Sequence, residues 1–120
     1  VYNVYNCTRL CELKQFALEN NIEVFWQTLF QPSFLAVTNQ SDRIRKLALK
    51  EIGKLKNNYK LTDAEQHFFN SAEYEIKNVI QTDNTAAADL REHIHLMETL
   101  YHQDQKDKFK KLWPELDALI

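Results

Sequence analysis

The fold of this chain is predicted from its first thirty residues, which are VYNVYN (1–6), CTRLCELKQFALENN (7–21) and IEVFWQTLF (22–30). Valine, isoleucine, tyrosine and phenylalanine favour strands, so the first and third stretches are predicted to be β-strands. The middle stretch has apolar residues at helical spacing, with Thr8 as a possible cap, and is predicted to be a helix. Two strands joined through a helix are parallel neighbours in a right-handed crossover. The sequence therefore predicts a β-α-β unit.

The apolar run at 22–30 indicates that this unit belongs to a larger sheet. The run is nearly continuous rather than alternating, which is typical of a parallel strand covered on both faces. The chain opens on a strand with no methionine, cap or partner strand before it, and the residues after 38 offer little to pair with it. We therefore expect a C-terminal fragment of a larger α/β protein with a partial barrel.

The rest of the chain has the apolar periodicity of four helices, beginning near residues 41, 62, 86 and 109. Ser41 or Asn39 is expected to cap the first of them, and Thr62 with Glu65 forms a capping box for the second. Gly53 falls inside the first of these helices, where a close helix contact would account for it. The predicted class is α+β and predominantly helical, with a β-α-β unit at 1–38 and a helical region at 39–120.

Composition restricts the classes of partner and location. Hydrophobic residues make up 44% of the 120 residues and charged residues 27%, as in one ordinary globular domain. A formal net charge of -2 lacks the basic excess of nucleic-acid binders, so no nucleic-acid partner is expected. No apolar run reaches the roughly 20 residues that span a bilayer, so no membrane partner is expected. Two cysteines are too few for a disulfide scaffold, which favours a reducing, cytoplasmic location.

Two sets of side chains have the spacing of metal ligands. Cys7 and Cys11 lie four residues apart on one helix face, but a metal site needs more ligands, and two buried small hydrophobic residues are the simpler interpretation. His95, Glu98 and His102 also share one face of a predicted helix and could supply three ligands, although solvated or half-buried histidines are more common. With one glycine in the chain, phosphate-cradling glycine loops are excluded.

The first thirteen residues resemble the last barrel strand and following helix of radical SAM proteins that have a twitch-type C-terminal region. The positions that match are Tyr5, Asn6, Leu10, Glu12 and Leu13. The segment Pro32-Ser33-Phe34-Leu35 is similar to the family's step of proline, any residue, aromatic and leucine. Near the C-terminus, the family's closing pattern resembles Asp104, Lys106 and Phe109 followed by Leu112-Trp113-Pro114-Glu115-Leu116. These matches occur in the family's order and at similar separations.

Some positions depart from the family pattern. Asn3 stands where serine is usual, and Cys7 where an aliphatic residue is usual. The cluster-binding CxxxCxxC motif is absent, since the position that would hold its third cysteine after Cys7 and Cys11 is Lys14. In this family that motif lies near the start of the barrel.

The resemblance implies that the full protein binds a [4Fe–4S] cluster and S-adenosylmethionine and cleaves the latter reductively. It implies that Asn6 lies near this cofactor, with Tyr5 and Asn3 as its neighbours; alternatively, Asn6 caps the following helix. It also implies that Pro32 and Phe34 shape the substrate side, although a structural turn explains them equally well.

Three functions follow. The leading one is the C-terminal portion of a radical-SAM-like enzyme, which forms barrel wall and helical cap and lacks catalytic residues and cluster cysteines. Its partner would be the remainder of its own barrel, or another protein, bound through the apolar strands. The alternative is a stand-alone helical protein-interaction module without catalysis. A third is a helical metal-binding protein that uses His95, Glu98 and His102. An enzyme fragment is expected to leave a bare hydrophobic face.

Overall fold

The structure, a computed structural model, describes residues 1–29, 31–79, 85–101 and 108–118. In these residues six α-helices and two short 3-10 helices are present. The α-helices are α1 (Leu10–Glu19), α2 (Asp42–Asn58), α3 (Asp63–Lys77), α4 (Ala86–Tyr101), α5 (Lys108–Leu112) and α6 (Pro114–Asp117). The 3-10 helices are Ser33–Leu35 and Val37–Asn39. The chain is thus predominantly helical over its described part.

The predicted β-α-β unit is wrong, and with it the α+β class and the barrel wall, because the described residues contain no β-strand. The two predicted strands meet at one isolated parallel bridge, between Tyr2 and Thr28. The ladder ends there because Val4 N donates to Leu35 O at 2.9 Å, outside both predicted strands. Asn3 N donates to Asn6 Oδ1 at 2.9 Å, and such local asparagine bonds compete with sheet ladders. Residue 30, at the end of the second predicted strand, lies outside the described residues.

The start of α1 also differs from the prediction. Its N-cap is Arg9, and no side chain caps it. Neither Thr8 nor Asn6 is therefore its cap. The Thr8 hydroxyl instead donates to Glu115 Oε1 at 3.0 Å, which ties the start of α1 to α6.

The caps of α2 and α3 are confirmed. Ser41 Oγ accepts from the backbone N–H of Ile44 at the start of α2. At the start of α3, Thr62 Oγ1 accepts from Glu65 N at 3.2 Å, and Glu65 Oε1 accepts from Thr62 N at 3.1 Å. These bonds satisfy backbone donors that a helix leaves free at its N-terminus.

One hydrophobic core joins the first helix to the last. Its buried members include Val4, Cys7, Leu10, Ile44, Ile52, Leu55, Phe69, Ile76, Leu90 and Leu116. At its centre the ring of Tyr2 makes edge-on contacts with Trp26, Phe68 and Phe69, with centroids 5.9–6.2 Å away. Side chains from 1–38 and from 39–120 share this core, and the division between these two segments stays a prediction.

Gly53 is expected to limit the stability of α2. The close helix contact predicted for it is wrong, since a Cβ placed there meets nothing within 4 Å. Gly53→Ala is therefore expected to raise the free energy of unfolding by about 1 kcal/mol, because alanine has the higher helix propensity. Urea denaturation followed by circular dichroism measures this change. The reverse substitution at a buried position of the same helix, Ala48→Gly, is the control and should lower the stability; a loss of stability in Gly53→Ala would contradict the open environment.

Candidate functional site

An apolar groove of about 280 Å³ lies between α4 and α5. It is lined by Tyr5, His93, Ile94, Met97, Glu98, Phe109, Leu112 and Trp113. We call it the α4–α5 groove. Met97 and Leu112 are 40% and 48% exposed, so its wall is accessible from solvent. Large apolar side chains left at solvent around a concave surface are typical of binding sites.

Three aromatic rings make one wall of the α4–α5 groove. Phe109 stacks on Trp113 with centroids 5.4 Å apart, and both rings lie about 6 Å from Tyr5, at 6.1 and 5.8 Å. Such stacked and edge-on contacts hold the rings in place. Burial raises the pKa of Tyr5 to about 12, so its hydroxyl stays protonated at neutral pH. The wall therefore presents neutral aromatic surface.

Glu98 joins the two helices of the groove. Its Oε1 accepts a hydrogen bond from Phe109 N at 3.0 Å, which satisfies one of the free donors at the start of α5. A more polar cavity of about 320 Å³ shares Ile94, Glu98 and Phe109 with the groove. Its other lining residues are Arg91, His95, Lys110 and Asp117. Apart from Glu98, which both cavities share, the charged side chains belong to this second cavity, and the lining of the α4–α5 groove is mainly apolar.

The structure brings together two of the residues predicted for the site. Tyr5, predicted near the cofactor, and Phe34, predicted on the substrate side, both contact the imidazole of His93. The centroid distances are 6.3 Å for Tyr5 and 5.3 Å for Phe34. Pro32 comes just before the 3-10 helix that holds Phe34, and its carbonyl accepts from Leu35 N at 3.1 Å. The segment from Pro32 to Leu35 therefore forms a structural turn, which is the alternative explanation that the sequence allowed for Pro32 and Phe34.

The amides of Asn3 and Asn6 hold the turn that follows Tyr2. Asn6 Nδ2 donates to Val1 O at 2.8 Å, and Asn6 Oδ1 accepts from Asn3 N. Asn3 Oδ1 accepts from Tyr5 N at 2.9 Å. A cofactor contact by either residue stays a prediction, and it would compete with these local bonds.

The thiols of both cysteines have raised pKa values. Cys7 is fully buried, as predicted, and its Sγ donates to Val4 O at 3.3 Å. Burial raises the pKa of Cys7 to about 12. Partial burial, together with the Glu51 carboxylate, raises the pKa of Cys11 to about 11. The sequence has Lys14 where a third cysteine of the CxxxCxxC motif would stand, so the absence of a cluster site at Cys7 and Cys11 stays a prediction.

The histidine face of α4 is only partly described. His95 is exposed, and Glu98 accepts from Phe109 N, while His102 lies outside the described residues. Among the described residues no three side chains of the metal-ligating types come together. The metal-binding alternative stays a prediction.

Sequence reasoning missed His93, Met97 and Leu112 as residues of the site. The signal available was weak: His93 and Met97 are one helical turn apart on α4, which places them on one face. Leu112 lies on a separate short helix, and only the packing of α5 on α4 brings it to the groove.

The described residues form a helical protein with an apolar groove between α4 and α5. No family model matches the sequence, and neither curated proteins nor solved structures include a match. In the described part of the chain, every helix is too short or too polar to cross a bilayer.

Proposed function

We propose that this chain is the helical C-terminal region of a radical-SAM-like enzyme, and that the α4–α5 groove binds an apolar group of the substrate. Residues outside this chain would hold the [4Fe–4S] cluster and S-adenosylmethionine, which supply the radical chemistry. The described residues of this chain form no barrel wall, and in this proposal its role is to bind and orient the substrate. Matches to the family's motifs at the start, in the middle and near the end of the chain support the proposal.

The meeting of Tyr5 and Phe34 at His93 is the observation that carries the proposal. The resemblance assigns Tyr5 to the cofactor side and Phe34 to the substrate side. Both rings lie against one imidazole, and that imidazole lines the α4–α5 groove. A group bound in this groove would therefore lie near one residue assigned to the cofactor side and one assigned to the substrate side.

The size of the groove limits what it can bind. Its volume of about 280 Å³ is just below the usual range for sites that enclose whole small molecules, which is roughly 300–1,000 Å³. One aromatic ring or one branched aliphatic group fits this space, so a larger apolar molecule would place one of its rings in the groove and leave the rest outside it. Burying such a group contributes about 1.5–3 kcal/mol, which alone gives weak binding. The remaining affinity for the substrate would come from the rest of the enzyme.

Substitutions at two neighbouring residues of α4 test whether apolar molecules bind in the groove. Met97 lines it and Leu96 does not, although both are about half exposed, at 40% and 51%. Met97→Glu is expected to weaken binding of the neutral apolar probe N-phenyl-1-naphthylamine about tenfold, since it places a charge in the apolar wall. Leu96→Glu is the matched control and should change binding by less than about twofold. Fluorescence titration of the probe measures both, and equal losses in the two variants would contradict the groove as the binding site.

A second candidate, a helical protein-interaction module without catalysis, is favoured by the core. One cluster of buried side chains runs from Tyr2 to Leu116, so the described residues share a core of their own. Against this, large apolar side chains of the first segment remain at solvent. They are Phe16, Leu18, Ile22 and Phe25, with exposed fractions of 57%, 55%, 49% and 77%. Such surface is what the enzyme proposal would cover with the rest of the protein, and the coding sequence upstream of Val1 separates the two candidates.

A further inference from the structure

The outward face of α2 carries a row of four cationic side chains. Arg43, Lys46, Lys50 and Lys54 follow one another at i, i+3, i+7 and i+11, which keeps them within about 60° of one line along a helix with 3.6 residues per turn. All four are exposed. At about 1.5 Å per residue the row is roughly 16 Å long. We call it the α2 stripe.

Most of the charge on the α2 stripe is unpaired. Lys46 Nζ lies 2.9 Å from Asp42 Oδ2, while Arg43, Lys50 and Lys54 make no ion pair with any described residue. Glu51, next to the stripe, accepts from the backbone N–H of Cys11 at 3.0 Å. A chain with a net charge of -2 thus concentrates positive charge on one helix face.

A polar hollow of about 230 Å³ opens beside the stripe. Its lining includes three cationic side chains, Arg9, Lys50 and Lys54, and two carboxylates, Glu51 and Glu115. Arg9 already pairs with Glu115 at 3.1 Å. Glu51 accepts from Cys11 N, and neither Lys50 nor Lys54 makes an ion pair with a described carboxylate, so the hollow keeps an excess of positive charge.

We infer that the α2 stripe docks an acidic helical segment of a partner protein, with one carboxylate in the hollow beside Lys50 and Lys54. Carboxylates spaced three or four residues apart on a helix are about 5–6 Å from each other, which matches the spacing of the stripe. This surface is separate from the α4–α5 groove and goes beyond the proposed function.

A protein segment fits this face better than nucleic acid does. Aromatic side chains on which bases could stack are missing among the four residues of the stripe and the residues that line the hollow. The negative net charge of the whole chain also repels a long polyanion, whereas a short acidic helix experiences mainly the local field of the stripe.

The test uses the whole chain and a fluorescent alanine-based peptide of about 16 residues with glutamates spaced four apart, at about 50 mM salt, where surface charges are weakly screened. We expect the double variant Lys50→Glu/Lys54→Glu to lower the affinity at least about tenfold, because it reverses the charges beside the hollow. The matched control is Lys110→Glu/Lys111→Glu, which makes the same charge change at two exposed lysines of α5. It should lower the affinity less than about threefold.

Three results would overturn the inference. They are the absence of peptide binding by the parent chain, an equal loss of affinity in the two double variants, and tighter binding of a single-stranded DNA oligonucleotide than of the peptide. Circular dichroism confirms that each variant is folded. If Lys50→Glu/Lys54→Glu is unfolded, Lys50→Gln/Lys54→Gln replaces it, with Lys110→Gln/Lys111→Gln as its control and the same expected order of affinities.

Discussion

Phe69→Ala is expected to lower the free energy of unfolding by about 3–5 kcal/mol, the usual cost of removing a buried phenylalanine ring. Phe69 is completely buried on α3. The rings of Tyr2, Trp26 and Phe68 surround it, with centroids 5.1–6.1 Å away. These three neighbours are rigid rings, which fill the space left by the lost side chain poorly. The loss is a large share of the total stability of a domain, which is about 5–15 kcal/mol.

Urea denaturation followed by tryptophan fluorescence measures this loss, because Trp26 lies 5.4 Å from Phe69. Tyr74→Ala is the control: this aromatic residue is on the same helix but 70% exposed. It should change the stability by no more than about 0.5 kcal/mol. Similar losses in the two variants would show that the aromatic cluster around Tyr2 is not the centre of the core.

Lys14→Met is expected to lower the free energy of unfolding by about 3 kcal/mol, because it leaves a buried carboxylate without its cation. Lys14 Nζ lies 2.9 and 3.2 Å from the two carboxylate oxygens of Glu65. Their side chains are only 15% and 9% exposed. The methionine side chain keeps most of the volume of lysine, so the loss reports the charge rather than a cavity.

The effect of Lys14→Met should depend on pH. Burial tends to raise the pKa of Glu65, but hydrogen bonds from Lys14 and Thr62 outweigh it and hold this pKa below its usual value. A lowered pKa stabilises the folded state above the usual pKa, and that stability is lost as the pH falls through the folded value. The parent chain therefore loses stability on acidification below about pH 5. In Lys14→Met the carboxylate protonates more easily, so its deficit shrinks as the pH falls.

Chemical denaturation at about pH 7 and pH 4 measures this difference. Lys46→Met is the control, because Lys46 pairs with Asp42 at the surface, where both side chains are mostly exposed. Solvent screens an exposed pair of this kind, so the control should change little. An equal deficit of Lys14→Met at both pH values would contradict the buried ion pair.

The helices could be predicted because their signals are local. Ser41 caps the N-terminus of α2, and Thr62 with Glu65 forms the capping box of α3, as predicted from the sequence. The prediction of strands was wrong because the strand propensity of valine and tyrosine at 1–6 competes with the local hydrogen bonds of the asparagines between them. The side-chain bonds of Asn3 and Asn6 fold this segment into turns, and Tyr2 is left with one bridge to Thr28.

The site was predictable only in part, since it depends on how α4, α5 and the first residues pack. Tyr5 and Phe34 were identified from the sequence, but their meeting at His93 joins three distant parts of the chain. The sequence periodicity of α4 places Met97 on one apolar face with Leu90 and Ile94, which predicts that it is buried. Met97 is instead 40% exposed, because it lies where α4 borders the groove.

Sequencing the gene upstream of the codon for Val1 tests most directly whether this chain belongs to a radical-SAM-like enzyme. We expect an in-frame coding region for a barrel that contains a CxxxCxxC motif, whose three thiolates would bind the cluster. A start codon immediately before Val1, with no such region, would contradict the enzyme proposal and leave the helical protein-interaction module as the function of this chain.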